Sequence, residues 1–265
     1  MWAPFLFISN MNQAGANIYW GGESHDVDLG APIDISLSLK DSRLEKGPSA
    51  WYVDGPRFEP VRGEGFVGRV SEGGSVNFTD VYFNPHGHGT HTECLGHITL
   101  EAESIDKRLR AEPLAPLMPC MVHTVEPSVV DGDRVILTEH LPLDAELPPA
   151  FVLRTLPNSD EKKTQTWDNT NPPYLDPSFT AELVSRGVVH LLIDLPSVDK
   201  EVDGGALLSH RVFFGVPHAP RQGATITEFV FVPSSAPDGL YALNLQVAAF
   251  DLDASPSRPL LFPTR

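Results

Sequence analysis

Four of the ten histidines fall within twelve residues, in the run Asn84-Pro85-His86-Gly87-His88-Gly89-Thr90-His91-Thr92-Glu93-Cys94-Leu95-Gly96-His97. Imidazole nitrogen and carboxylate oxygen are the ligands of Zn²⁺, Mn²⁺ and Fe²⁺, so the run reads as a divalent-metal site. In an extended backbone, residues two apart face the same side, which puts His91 and Glu93 within reach of one ion. His97 lies beyond Gly96 and has to turn back to join them. The interleaved glycines let the backbone crowd around an ion. The competing reading is a polar loop of solvated histidines. Cys94 could be a nucleophile, but a small buried hydrophobe is the commoner use of a lone thiol.

The rest of the chain narrows the chemistry. With 19 basic against 35 acidic residues the net charge is −16. Phosphate neutralisation needs clustered Lys and Arg, so a nucleic-acid partner is excluded and a metal cation or small-molecule substrate fits better. Two cysteines, Cys94 and Cys120, are too few for a disulfide framework and point to a reducing compartment, hence a cytoplasmic protein. No run approaches the ~18 apolar residues of a membrane span. Trp2 to Ile8 is apolar but short, holds Pro4 and lacks a preceding basic residue, unlike a secretory signal. Residues 1–16 are expected to be an N-terminal extension, adventitious to the fold, with Met11 an alternative start.

The elements that must position the cluster are short. Of 265 residues, 41% are hydrophobic and 20% charged, enough for a full core, while 25 prolines favour strands and turns over long helices. Ile33–Leu39, Asn77–Phe83, Met121–Val125, Arg134–Thr138, Phe151–Thr155, Ile226–Val232 and Leu240–Val247 read as strands. Val188–Ile193 is apolar except for His190, the pattern of a strand covered on both faces. Asp176-Pro177 supplies an N-cap and a first-turn proline for a helix that stops at Arg186-Gly187. Leu207–Phe214 is a second short helix, and 159–174 is loop. Without an internal repeat or a dividing linker, residues 17–265 form a single α/β domain.

The histidine run resembles the signature of the cyclase family, which includes bacterial kynurenine formamidases and isatin hydrolases: His-x-Gly-Thr-His-x-Asp-x-Pro-x-His. Gly89, Thr90, His91 and His97 match. Glu93 stands where the family has Asp, Leu95 where it has Pro, and Gly87 where it has the first His. The resemblance continues through Ile193-Asp194-Leu195-Pro196-Ser197-Val198-Asp199, Leu208-Ser209-His210, Thr227-Glu228, Pro237-Asp238-Gly239-Leu240-Tyr241 and Ser257-Arg258-Pro259, from about Ile33 to Phe262. It implies the family's swivelling β/β/α fold and a metal-dependent hydrolase that cleaves a C–N amide bond, in an aryl formamide such as N-formylkynurenine or in a cyclic amide. It also implies one or two Zn or Mn ions and a homodimer or homotetramer. His86, His91 and Glu93 would hold the first ion; Glu93, His210 and Glu228 the second; His97 would be the general acid/base. A non-catalytic metal- or small-molecule-binding protein on the same fold is the alternative. Taken alone, His210 reads as a satisfied helix histidine and Glu228 as an exposed strand residue.

Two histidines compete for the displaced first position. Using His86 requires one extra residue, which a bulge at Gly87-His88-Gly89 can absorb. Using His88 requires an extended chain to contract, so His86 is favoured as ligand and His88 as a neighbour lining the pocket. Other signals are weaker. Gly63-Glu64-Gly65-Phe66-Val67-Gly68 has the dinucleotide-fingerprint spacing but neither the preceding strand nor the following helix. Asn77-Phe78-Thr79 is a formal glycosylation sequon. Trp51, Tyr52, Phe58 and Phe83 could line an aromatic substrate pocket or pack in the core.

Overall fold

The computed structural model describes residues 15–142 and 146–265. The expected N-terminal extension lies outside them except for Gly15 and Ala16, which open a hairpin of Gly15–Trp20 with Glu23–Asp28. The main sheet uses eight strands: β1 (Ile33–Asp34), β2 (His91–Glu93), β3 (Met118–Val125), β4 (Ala150–Thr155), β5 (His190–Ile193), β6 (Thr225–Glu228), β7 (Gly239–Val247) and β8 (Ala254–Pro263). Their order is β7-β3-β4-β5-β6-β2-β8, and β7 pairs again with β8, so seven strands close a barrel and β1 flanks β8. Neighbours are parallel from β3 to β6 and antiparallel around the rest of the ring.

Period-2 alternation sorts the core into two layers. Ala150 and Val152 of β4 and Leu192 of β5 join Cys120, Val122, Leu243 and Leu261 in one buried cluster. Phe151, Leu153, Leu191 and Ile193 face the other way, against Phe179, Leu183, Phe213 and Phe214. Those last four lie on α2 (Pro177–Ser185) and α3 (Leu208–Phe214), which follow α1 (Ile105–Ala111) in the chain. Burial on both faces is why β4 and β5 carry continuous apolar runs, Ala150 to Leu153 and Leu191 to Ile193. Asp176 caps α2 by accepting from the Ser178 N–H, and Gly187 follows at φ 87°.

Four elements differ from the sequence expectation. The strand expected over 33–39 is only Ile33–Asp34, because beyond it the chain leaves β8 and the Leu37 backbone bonds Thr90 instead. The strand expected over 226–232 ends at Glu228, because Phe229 takes a left-handed φ of 55°. β8 is ten residues long, although Pro256, Pro259 and Pro263 argue against a strand. α1 is unforeseen, and Ser104 caps it by accepting from the Lys107 N–H. Gly63 and Phe66 pair within a small hairpin, not the strand-to-helix turn of a dinucleotide site. No described helix is long and apolar enough to cross a membrane.

Candidate metal centre

The histidine run winds into place through specific local contacts. The Asn84 side-chain oxygen accepts from the N–H groups of His86 (2.9 Å) and Gly87 (3.0 Å), folding 85–87 into a turn. This capped turn, where a β-bulge was expected, absorbs the extra residue and sends His86 towards Glu93. His88 goes elsewhere. Its Nδ1 accepts from the Asn84 N–H at 3.0 Å, and it lines a separate cavity with Lys40 and Lys46. Gly89 has φ 66°, a conformation disfavoured for L residues. Beyond β2, Leu95–Ile98 turns back in one 3₁₀ turn. A Cβ on Gly96 would lie 2.0 Å from the Glu103 carbonyl oxygen, so only glycine permits the return that brings His97 home.

Antiparallel register does the rest. Glu228 on β6 sits opposite His91 on β2, with His91 Nε2 3.4 Å from Glu228 Oε2. Glu93 lies between two groups of donors. Its Oε2 is 3.3 Å from His86 Nδ1 and 3.8 Å from His97 Nε2, and its Oε1 is 3.0 Å from His210 Nε2. His210 Nε2 is also 3.9 Å from Glu228 Oε1. All six expected site residues therefore converge. Ligand atoms of His86, Glu93 and His97, and those of His91, Glu93 and Glu228, each gather within 4.8 Å. Far from being exposed, Glu228 is buried with His91, Glu93 and His210.

The outer face of each imidazole has an acceptor. His91 Nδ1 donates to the Gly89 carbonyl (3.2 Å), and His210 Nδ1 to Asp199 Oδ2 (2.6 Å). Asp199 Oδ1 also accepts from the Ser209 N–H at 2.7 Å, fastening the start of α3. Sequence reasoning placed Asp199 in a motif without a role, and it missed Asp253 entirely. Asp253 Oδ2 is 2.8 Å from His86 Nε2 and 3.1 Å from His97 Nδ1.

The inner face tests whether these residues fit a metal. His91 Nε2, both Glu93 oxygens, His210 Nε2 and Glu228 Oε1 are buried and, although within ion-pair reach of one another, make no well-formed hydrogen bond. Buried polar atoms are ordinarily paired. Five orphans from four residues converge here, and all are atoms a hard or borderline cation accepts. The set fits. Charge partners shape the cluster without an ion. Burial pulls His86 down, but the Asp253 and Glu93 carboxylates outweigh it and raise its pKa to about 10. Burial likewise opposes His210, whose pKa Glu93, Asp199 and Glu228 raise to about 10. Glu93 is held well below the usual carboxylate range, against the pull of its burial, by His97, His210 and His86.

A cavity of about 250 Å³ opens onto the cluster, lined by Trp51, Asn84, His86, His97, Ser197, Leu207, His210 and Glu228. Of the four aromatics considered for a substrate pocket, Trp51 alone lines this one. Cys94 is not a nucleophile: it is buried, donates to the Glu103 carbonyl at 3.2 Å, and burial pushes its thiol up to about 11.

Comparison with known proteins identifies the family and the fold. The kynurenine formamidase of Bordetella petrii is 29% identical over 189 residues, 70% of this chain and 80% of that protein. Isatin hydrolase A from Labrenzia aggregata, solved with benzyl benzoate, superposes with a TM-score of 0.59 at 14% identity, covering 89% of this chain and 94% of that one. A structure from Bacillus stearothermophilus, described as a predicted metal-dependent hydrolase, gives 0.61 at 16% identity over 88% and 98% of the two chains. At such identities the likeness shows a common fold. The sequence model of the Cyclase family matches residues 27–200, more than half of the chain, and the chain belongs to that family.

Proposed function

We propose that the protein is a metal-dependent hydrolase that cleaves a C–N amide bond in an aryl formamide or a cyclic amide. The carrying observation is the convergence of unpartnered buried His91, Glu93, His210 and Glu228 atoms beneath a cavity with an aromatic wall. Relatives named kynurenine formamidase and isatin hydrolase support the substrate class, and the neighbour named for metal dependence supports the cofactor. His86, His91, Glu93, His210 and Glu228 would hold one or two divalent ions, Zn or Mn, with Glu93 shared between the two donor groups. Such an ion supplies a water of lowered pKa, from about 15.7 towards ~7, and polarises a carbonyl.

The chain's own residues do the rest. Trp51 offers a flat face to an aryl ring, Asn84 and Ser197 offer polar edges, and Leu207 closes the wall. His97 lines the cavity with its Nδ1 on Asp253 and its Nε2 3.8 Å from Glu93 Oε2, so it can pass a proton to the leaving nitrogen. A purely structural metal site closes its coordination sphere with protein ligands. Here His86, His97, His210 and Glu228 line an open cavity, which favours catalysis over simple binding. A homodimer or homotetramer goes with this reading, and Phe66 and Phe78, exposed and packed edge to face, offer it an apolar contact.

Metal analysis of the purified protein, with a hydrolysis screen over aryl formamides, isatins and lactones, tests the proposal. Near-stoichiometric Zn or Mn and turnover of an amide are expected. Turnover that survives complete chelation, or a metal-loaded protein inert to every amide, refutes it. Light scattering at the mass of one chain refutes the assembly.

A further inference from the structure

The geometry points to Asp253 as the positioning residue of the site: one carboxylate oxygen that fixes His97, the proton-transfer group, and His86, a metal-binding group, at once. This rests on the function proposed above. Asp253 Oδ2 receives both imidazoles, at 2.8 Å from His86 Nε2 and 3.1 Å from His97 Nδ1. The two ring centroids are 4.2 Å apart and their planes are 30° from parallel. A carboxylate only accepts, so both contacted nitrogens carry hydrogens. In the neutral imidazole that metal binding or proton transfer requires, the opposite nitrogens, His86 Nδ1 and His97 Nε2, then carry the lone pairs, and both point towards Glu93.

The backbone holds Asp253 rigidly in this place. Its carbonyl accepts from the Cys94 N–H (3.1 Å), and the Leu252 carbonyl accepts from the Ile105 N–H (2.7 Å). Ala254, the next residue, is the register partner of Glu93. The carboxylate is thus carried by the residue that leads directly into β8, the strand that abuts the centre of the cluster. An acceptor on the outer nitrogen of a metal-binding or proton-transferring imidazole sets its tautomer and aim. Sharing one oxygen makes the two settings interdependent: a residue that mis-aims His97 also loosens His86.

Zn-loaded protein with ¹⁵N-labelled histidine tests the assignment through wild type and two variants. In wild type, the ¹⁵N shifts of His97 should identify Nδ1 as the nitrogen bearing hydrogen. Asp253→Ala should scramble that tautomer, lower kcat by about 10²–10³ with KM within threefold, and weaken Zn binding by about 10–100-fold, the usual effects of losing such an orienting partner. Asp253→Asn, which retains an acceptor oxygen and the side-chain shape, should recover part of kcat and the His97 tautomer. It also serves if the alanine variant does not fold. A fixed His97 tautomer in Asp253→Ala, kcat within threefold of wild type, or Asp253→Asn no better than alanine, overturns the assignment. Abolition of Zn binding would do so too, by making Asp253 a ligand. If no substrate turns over in wild type, the proposed function fails, yet the tautomer and the Zn affinity still decide the role of Asp253.

Discussion

His190 gives a stability prediction whose size follows from the structure. It opens β5 with its side chain 8% exposed, and its Nδ1 lies 2.9 Å from Thr225 Oγ1. Burial, reinforced by the Arg221 guanidinium, lowers its pKa from 6.5 to about 4. The folded protein therefore keeps this imidazole neutral at pH values where the unfolded chain protonates it. Between about pH 6.5 and 4 the unfolded state binds more protons, so stability falls as pH falls through that window and is unaffected above it. The full effect is 6.5 − 4, about 2.5 pH units, at ~1.36 kcal/mol each, or about 3 kcal/mol, of which ~2 kcal/mol accrues between pH 7 and 5. His190→Asn removes the titration and keeps a polar contact for Thr225. Urea unfolding of both proteins at pH 7 and pH 5 isolates the term, since the other titrating groups cancel in the double difference. Wild type should lose ~2 kcal/mol more than the variant over that interval. Equal losses in the two proteins would refute the buried-neutral assignment.

The remaining predictions concern the centre. His91→Ala should purify with its metal stoichiometry collapsed; wild-type metal content after dialysis would show that the ion sits elsewhere. His97→Ala should keep its metal while kcat falls by about 10²–10⁴, the usual worth of a general acid/base. Joint loss of metal and activity would make His97 a ligand. His86→Ala should lose metal and activity, whereas His88→Ala, altered in a separate cavity, should keep its metal. The reverse pattern, read by metal analysis, would contradict the turn that Asn84 caps.

How much of the centre was legible follows from how each residue reaches it. His91 and Glu93 are two apart on one strand, so the period of the strand alone put them together. Gly96 and His97 were legible as a turn back, although the reason only glycine fits, the Glu103 backbone, is a tertiary fact. Glu228 and His210 carried no local sign of their role and came only through the family resemblance. Asp253 was illegible because its partners lie 156 and 167 residues away and its own stretch, Asp251-Leu252-Asp253, looks like any acidic loop. β8 was hidden by its prolines, and the turn at 85–87 by the fact that an Asn side chain, not a strand register, sets it.

Left-handed backbone gathers at the site, and one failure of pattern reading falls on it, at Phe229. Trp51 (φ 69°) and Leu207 (φ 48°) line the cavity, and Phe229 (φ 55°) directly follows Glu228. A non-glycine residue held there costs of order 1–3 kcal/mol and persists only when its surroundings over-determine it. Each is over-determined. Leu207 adjoins α3, whose first turns Asp199 holds through Ser209 and His210. The Phe229 carbonyl takes the Thr90 hydroxyl, while Thr90 Oγ1 accepts from the Leu37 N–H at 2.7 Å. Tyr52, beside Trp51, donates its N–H to Asp168 and its hydroxyl to Glu201 at 2.8 Å. An unstrained continuation of β6 past Glu228 would have met the apolar pattern of 226–232. The chain breaks at Phe229 instead, just after Glu228, the carboxylate that faces His91 across the strand pair. Local propensity and site geometry disagree there, and the long-range contacts decide in favour of the site.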